Sequence, residues 1–256
     1  MDVFETIGTR RSIRYYETWH PVERWKIQSM LEAARIASHA ANVNALRAIV
    51  IERDDMSEEM QNATLPVNLQ LRLAPALILW FGDLAAWDDQ SETLHQLVDV
   101  GALSAGFGWS NAFIDDFMVP MTKAAAGSGD SNAVMTALDA GLGIANAQLV
   151  ATTLGLGTCL NPFFGDAHAI FGLPETCRPW WIMTVGYPAE SPDGGGQRPR
   201  APFEDLFHLG SYGTPFPRDE EVVEDLRERR MFQEPGPHPW RKAELRALSA
   251  MFGLPE

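Results

Sequence analysis

The stretch that most constrains the fold is residues 139–189, which reads as a helix of small residues, a glycine-punctuated turn, an apolar loop, a second helix and a buried strand. From Leu138 to Leu156 apolar residues recur every three or four positions, which is a helical period. The opposite face holds only alanine and glycine, so the helix is apolar all round and is predicted to be buried on every side. Because Gly141 and Gly143 each cost about 1 kcal/mol of helix propensity, we expect close packing against another backbone or a second subunit.

The rest of the chain alternates short apolar runs with helical periods. Strands are predicted at residues 48–53, 75–81 and 180–186, the last as a central strand because it lacks polar alternation. Helices are predicted at residues 21–37, 138–156, 219–231 and 240–252. Residues 57–73 read as a helix broken by Pro66, residues 127–130 as a flexible break, and residues 191–197 as a linker.

Composition excludes several classes of function. A chain of 256 residues forms one large domain or two small ones. Its net charge of -14 argues against nucleic acid or an anionic membrane as the main partner. No uninterrupted run approaches the roughly 18 apolar residues of a membrane span, and the N-terminus lacks an apolar signal segment, so a cytoplasmic protein is expected. Cys159 and Cys177 are too few for a disulfide framework and are expected to be buried thiols.

One basic segment stands out in this acidic chain. Arg10, Arg11, Ser12 and Arg14 place three guanidinium groups and a hydroxyl within five residues. Guanidinium groups donate fork-shaped hydrogen bonds to anions, so a bound phosphate would satisfy them. The alternative is a solvated basic turn whose arginines pair with nearby carboxylates.

Two further regions leave alternatives open. Asn42 and Asn44 lie in a loop of small residues, where each amide could bond the edge of a planar heterocycle or satisfy its own backbone. Residues 83–136 carry an aromatic and methionine-rich set that is either core packing or the wall or lid of an apolar pocket. That set is Trp87, His95, Phe107, Trp109, Phe113, Phe117, Met118 and Met121.

Taken together, residues 4–208 resemble the nitroreductase superfamily of FMN-dependent oxidoreductases. The Arg-Arg-Ser-x-Arg motif at residues 10–14 matches as it stands. The loop at residues 38–46 retains only Asn42 of the family pattern, and residues 162–165 read Pro-Phe-Phe-Gly where the family has Pro-Ile-Glu-Gly. Residues 185–188 (Val-Gly-Tyr-Pro) and 198–203 (Arg-Pro-Arg-Ala-Pro-Phe) resemble the exit from the last core strand and the return to the phosphate.

The resemblance implies an α+β fold with a nitroreductase-like central mixed or antiparallel sheet flanked by helices. It also implies FMN as the cofactor, with the phosphate held by arginines and a serine. The implied cofactor-binding residues are Arg10, Arg11, Ser12, Arg14, Ser38, His39, Ala40, Asn42, Gln70, Pro162, Phe163, Phe164, Gly165, Arg198 and Arg200. Arg11 either joins this set or is structural. The backbone of Phe164 and Gly165 is expected near flavin N5, no metal is expected, and no side chain is assigned as acid or base because the flavin carries the chemistry. His39 could relay a proton but is more simply a structural group.

The resemblance further implies two-electron transfer in a homodimer with FMN at the subunit interface. NADH or NADPH would drive reduction of nitroaromatic, quinone-like or unsaturated substrates. Since the chain lacks a GxGxxG fingerprint, nicotinamide and oxidant would take turns on one flavin face. The alternatives are an FMN-dependent dehydrogenase or oxidase of a biosynthetic pathway and a flavin-binding member without catalysis. Residues 1–208 would form the FMN-binding domain, with residues 83–136 as its variable lid region. Residues 209–256 would be an extension that wraps the partner subunit.

Overall fold

A four-stranded antiparallel sheet lies at the centre of the residues described by the computed structural model, which are 1–63, 70–126 and 130–254. Its strands are β1 (Leu46–Glu52), β2 (Ala76–Asp83), β3 (Gly157–Pro162) and β4 (Cys177–Gly186). Their order is β1-β2-β4-β3, and each neighbouring pair is antiparallel. The predicted α+β class with a helix-flanked sheet is therefore confirmed, and the predicted central strand at residues 180–186 is β4.

Helices cover both faces of this sheet and form the C-terminal part of the chain. They are α1 (Val3–Thr9), α2 (Arg24–Arg35), α3 (Glu58–Ala63), α4 (Gln70–Leu73), α5 (Gln90–Asp99), α6 (Asn111–Phe113), α7 (Val119–Ala126), α8 (Ser131–Thr153), α9 (Ala167–Phe171), α10 (Phe203–Leu206), α11 (Glu220–Glu228) and α12 (Arg241–Met251). A π-helical turn, Ile114–Met118, joins α6 to α7. Single 3₁₀ turns lie at Ala40–Asn42, Arg53–Asp55, Leu84–Asp89 and Ala105–Phe107. The predicted breaks at Pro66 and residues 127–129 lie outside the described residues.

The two faces of the sheet hold two separate hydrophobic clusters. Strand β2 is buried on both sides, so its run carries no polar alternation. Leu77 and Leu79 point into a cluster with Ile13 and Tyr16, which brings the arginine-rich segment onto one face. Ile78 and Trp80 point into the other cluster, which contains residues of α2 and α8.

Helix α8 is buried on one face in the single chain, so its expected burial on every side, which allowed for a second subunit, stays a prediction. The buried face is the Ala and Gly face, because Gly143 brings α8 within contact of the α2 backbone: a Cβ there would lie 3.1 Å from the Ala34 carbonyl oxygen. Leu138 and Leu142 are 60% and 47% exposed in the single chain. By length and hydropathy α8 could cross a membrane, but a core helix passes the same test, and the packing on α2 makes α8 a core helix.

The segment expected to be a turn and an apolar loop after α8 is instead the edge strand β3. Gly155, with φ +76°, ends the helix as predicted. The next residues pair with β4 from Gly157 to Pro162. The sequence does not predict this strand, because polar and apolar residues do not alternate regularly in a short mixed segment of Gly, Thr, Cys, Leu and Asn.

The C-terminal extension packs on its own chain. Arg229 and Arg230 of the segment after α11 reach Asp2 and Glu5 of α1 at 3.5 and 2.6 Å. Arg241 of α12 pairs with a carboxylate beyond β4, as described below. The division at residue 208 and the wrapping of a partner subunit stay predictions.

Candidate functional site

The arginine-rich segment is fixed to the edge of the sheet. Ser12 forms a parallel bridge with Thr158 of β3, and the Ile13 backbone N–H donates to the Thr158 carbonyl at 3.0 Å. Gly157 lies directly under Ile13, since a Cβ at that position would meet three Ile13 carbons at 2.6–2.9 Å. The segment therefore has one defined path along the strand, with Ser12 and Arg14 on either side of the buried Ile13.

Four arginines form an electrostatically coupled cluster next to this segment. Burial lowers the pKa of Arg10, and the Arg200 charge lowers it further. Burial likewise lowers the pKa of Arg11, with contributions from Arg10, Arg198 and Arg200. Guanidinium groups stay charged in proteins, so the lowered pKa values report first the partial burial of Arg10 and Arg11 and then their repulsion by neighbouring guanidinium groups.

These arginines lack carboxylate partners within the part of the chain that the structure describes. Arg10, Arg11, Arg14, Arg198 and Arg200 form none of the ion pairs found there. Instead, guanidinium groups donate to backbone carbonyls, as from Arg11 to Gly8 at 2.6 Å and from Arg14 to Ser12 at 3.2 Å. The Asp193 carboxylate lies close enough to raise the pKa of Arg11 without pairing with it, so the fold compensates these cations only in part.

A cavity of about 430 Å³ opens beside Ser12, and we call it the Ser12 cavity. It brings together four predicted residues: Ser12, Arg14, Gln70 and Pro162. Its remaining lining residues were not predicted: they are Tyr15, Leu73, Cys159, Leu160, Asn161 and Leu254. Their positions beside predicted residues could have indicated Tyr15 and Asn161, whereas no sequence signal brings the C-terminal Leu254 to this place.

The polar groups of the Ser12 cavity are held by one another. The Gln70 amide donates to the Asn161 side-chain oxygen, and the Asn161 amide donates to the Cys159 carbonyl at 2.9 Å. Gln70 and Asn161 are both buried, at 8% and 3% exposure. Because buried amides keep their orientation only when they are hydrogen-bonded, this chain presents a defined polar edge to the cavity.

Residues 162–165 form the turn that leaves β3. Phe163 packs on Phe171 of α9, with ring centroids 5.7 Å apart. Phe164 is 63% exposed. The carboxylate of Asp166 caps α9 by accepting from the Ala169 N–H at 3.1 Å, which fixes where the turn ends. Whether the backbone of Phe164 and Gly165 faces flavin N5 stays a prediction.

The second predicted binding loop lies at a different cavity of the same chain. His39 lines a cavity of about 390 Å³ with Arg35, Asn44, Arg47 and Trp80 among others, and it shares no lining residue with the Ser12 cavity.

A buried carboxylate holds this loop in shape. The Asp139 carboxylate accepts from the Ala40 N–H at 2.9 Å and lies 4.0 Å from His39 Nδ1. Ala41 and Asn42 have φ of 50° and 55°, left-handed values that residues other than glycine seldom adopt. Ser38 lies at the exposed start of the loop. The Asn44 amide donates a hydrogen bond to the Asn42 backbone carbonyl at 2.6 Å. Of the two predicted alternatives, Asn44 therefore adopts the one in which the side chain bonds the backbone of its own loop.

The aromatic residues of the 83–136 region divide into buried and exposed groups. Trp87 is buried and donates to Thr136 at 2.8 Å. Phe113 packs between Trp109 and Phe117, with centroids 5.6 and 5.4 Å away, and Phe117 is 54% exposed. The exposed group is available to cover a neighbouring site, but its role as a lid stays a prediction.

Comparison with known proteins decides the family. The sequence model of the nitroreductase family matches residues 7–187. The chain belongs to the nitroreductase family. This membership supports an oxidoreductase activity. No curated protein gives a significant sequence match.

Solved structures with the same fold agree with this assignment. A nitroreductase candidate from Exiguobacterium sibiricum, solved in complex with FMN, is 23% identical, with 82% of this chain and 97% of that chain covered and a TM-score of 0.63. An NAD(P)H:FMN oxidoreductase candidate from Staphylococcus epidermidis is 19% identical, with 82% and 96% covered and a TM-score of 0.66. An enone reductase of gut-bacterial fatty acid saturation is 17% identical, with 82% and 98% covered and a TM-score of 0.66.

Proposed function

We propose that this nitroreductase-family chain is an FMN-dependent oxidoreductase that transfers a hydride from NADH or NADPH to an electron-poor nitroaromatic, quinone-like or unsaturated substrate. The observation that carries the proposal is the cluster of arginines without carboxylate partners beside the Ser12 cavity. A phosphate bearing nearly two charges would compensate these cations, of which Arg10 and Arg11 are half-buried and the others exposed, so the donor set fits FMN. The FMN-bound relative and the enone reductase with the same fold support the cofactor and the unsaturated substrate class.

Different residues of the chain would bind different parts of the cofactor. Arg10, Arg198 and Arg200 would bind the phosphate, each charge-assisted hydrogen bond contributing about 1.5–3 kcal/mol. Gln70 would present its ordered amide to the polar edge of the ring system. Leu160, Pro162 and Leu254 would contact the apolar part of the cofactor. Bound FMN supplies the hydride chemistry, and the chain supplies binding, orientation and electrostatics.

The loop at residues 38–42 would complete the site from a second subunit. In the single chain His39 lines a cavity that shares no residue with the Ser12 cavity, so we propose that the loop contacts the flavin of the other subunit. Leu138 and Leu142 leave an apolar stripe exposed on α8, which a second copy would cover. We therefore propose a homodimer with FMN at the interface, acting in the cytoplasm.

A spectrum of the purified protein tests the activity. We expect oxidised-flavin absorbance, restored by added FMN if lost in purification, that bleaches anaerobically with NADH or NADPH. Flavin that binds but does not bleach would favour the alternative of a dehydrogenase or oxidase reduced by its own substrate. Absence of binding with excess FMN would contradict the proposal.

Two variants test the assignment of the phosphate. Arg198→Met should weaken FMN binding about ten- to a hundredfold, from the loss of one charge-assisted contact, and should leave riboflavin binding unchanged because riboflavin lacks the phosphate. Arg246→Met, the same change at an exposed position of α12, is the matched control and should bind both flavins normally. Equal weakening of both flavins by Arg198→Met would contradict a phosphate role.

A further inference from the structure

A buried carboxylate fixes the backbone beside the Ser12 cavity. Glu190 follows β4 and is 4% exposed. It accepts hydrogen bonds from the backbone N–H groups of Arg14 and Tyr15, the latter at 3.1 Å. Two backbone donors on one carboxylate oxygen set the direction of the chain at Arg14. Glu190 therefore determines how the arginine at the cavity is presented.

The charge of Glu190 is compensated by the C-terminal helix. Arg241 of α12 pairs with Glu190, and its other terminal nitrogen donates to Glu244 at 2.5 Å. Burial disfavours the Arg241 charge, but the hydrogen bonds with both carboxylates outweigh this effect and raise its pKa. Glu244 also accepts from the Ser191 N–H at 2.6 Å, so one arginine joins α12 to the segment after β4.

The segment predicted as a linker also contacts Arg241. Residues 191–197 form a turn in which Gly194 is buried against Arg241: a Cβ at Gly194 would lie 2.6 Å from the Arg241 guanidinium. Gly196, with φ +55°, packs on the backbone of Gly236. The glycines are thus needed for close approach, and the turn holds Arg241 in place.

Helix α12 also reaches the Ser12 cavity directly. The Tyr15 hydroxyl lies 3.1 Å from the Ser249 hydroxyl, and the Tyr15 ring lies 6.1 Å from that of Phe252. Leu254, two residues further, lines the Ser12 cavity. A further cavity, of about 480 Å³, is also lined by Arg14 and Tyr15, together with Arg198 and Arg241.

We propose that α12 is a positioning element of the flavin site of its own subunit, in which Arg241 holds Glu190 and Glu190 holds the Arg14–Tyr15 backbone beside the two cavities. The inference rests on the proposed function, because it assigns the Ser12 cavity to FMN. Arg241 and Glu190 touch neither cofactor nor substrate in this role, so they act through Arg14.

Amide hydrogen exchange of the flavin-free protein tests the coupling without any cofactor. In Arg241→Met we expect faster exchange in a peptide covering residues 10–17, because Glu190 loses its counter-ion and its hold on the backbone. The same substitution at Arg246, exposed on the same helix, should leave that exchange unchanged. Arg241→Lys keeps the charge but cannot bridge two carboxylates as a planar fork, so it should give intermediate exchange and remains informative if Arg241→Met folds poorly.

The affinity for FMN, followed by flavin fluorescence, is then measured for the same three variants. We expect Arg241→Met to bind FMN at least tenfold more weakly, Arg241→Lys to fall between it and the wild type, and Arg246→Met to match the wild type. Unchanged exchange in residues 10–17, or unchanged FMN affinity despite a lower unfolding temperature, would overturn the positioning role alone. A wild-type protein that binds no FMN would overturn the proposed function and, with it, the flavin role of α12.

Discussion

Replacing Gly157 with alanine tests the contact that fixes the arginine-rich segment to the sheet. The added Cβ would lie 2.6, 2.7 and 2.9 Å from Cγ1, Cβ and Cγ2 of Ile13, whereas carbon atoms pack at about 3.5–4.0 Å. Ile13 is buried and β-branched, so it cannot rotate out of the way. Overpacking of this kind costs about 1–3 kcal/mol, which corresponds to roughly 2–12 °C of unfolding temperature for a chain of this size.

The assay combines thermal unfolding of the flavin-free protein with FMN titration. Besides the loss of stability, we expect weaker FMN binding, because Ser12 and Arg14 flank the displaced Ile13. Gly106→Ala is the control, since its added Cβ would meet nothing closer than 3.8 Å. In an Ile13→Ala background the cost of the extra methyl should fall, because two of the three clashing atoms are gone. An unchanged unfolding temperature for Gly157→Ala, or full additivity in the double variant, would show that the added methyl group does not clash with Ile13.

Three further results are expected. Tyr16→Phe should destabilise the protein by about 1–3 kcal/mol in chemical denaturation, because the buried hydroxyl bonds a backbone carbonyl at 2.7 Å and a threonine hydroxyl at 2.6 Å; no loss would show that these groups find other partners. Burial raises the pKa of the thiols of Cys159 and Cys177, so both should remain protonated at pH 8. They should react with a disulfide reagent only after the protein unfolds, and a fast-reacting thiol in the native protein would contradict this expectation. Gly143→Ala should lower the unfolding temperature because its Cβ meets the α2 backbone, whereas Gly141→Ala meets nothing within 4 Å in its own chain and should raise it in a monomeric state.

The parts of the fold that the sequence predicted are those with a strong, long pattern. The runs at residues 75–81 and 180–186 are strands because they are apolar on both faces, and they occupy the two central positions of the sheet. The C-terminal helices were placed within a few residues by their charge and apolar periods. The sequence does not predict strand β3, because six residues at the edge of the sheet show no regular alternation of polar and apolar side chains. The segment is a strand because it pairs with β4.

The site shows the same limit. The motif at residues 10–14 is conspicuous because three arginines stand together in an acidic chain, whereas the return at residues 198–200 is an expectation of the family resemblance. Arg10, Arg198 and Arg200 all lower the pKa of Arg11, so the fold brings the two segments close together. The roles of Glu190 and Arg241 were invisible in the sequence, because a carboxylate that binds two backbone amides and its distant counter-ion have no fixed spacing. Such contacts arise only from the tertiary fold.

The proposed homodimer would account for two features of the single chain. The apolar stripe of α8 faces outward at Leu138 and Leu142, and a contiguous exposed apolar surface is typical of a protein–protein contact. On the same helix, Asp139 turns inward and holds the loop of His39, which faces a cavity of its own rather than the Ser12 cavity. If the two subunits were related by a two-fold axis at α8, each would cover the other's apolar stripe, and each loop would also lie near the other subunit's flavin. The small residues that first set α8 apart in the sequence would then serve two contacts, with the alanine and glycine face packing on α2 and the leucine face on the second subunit.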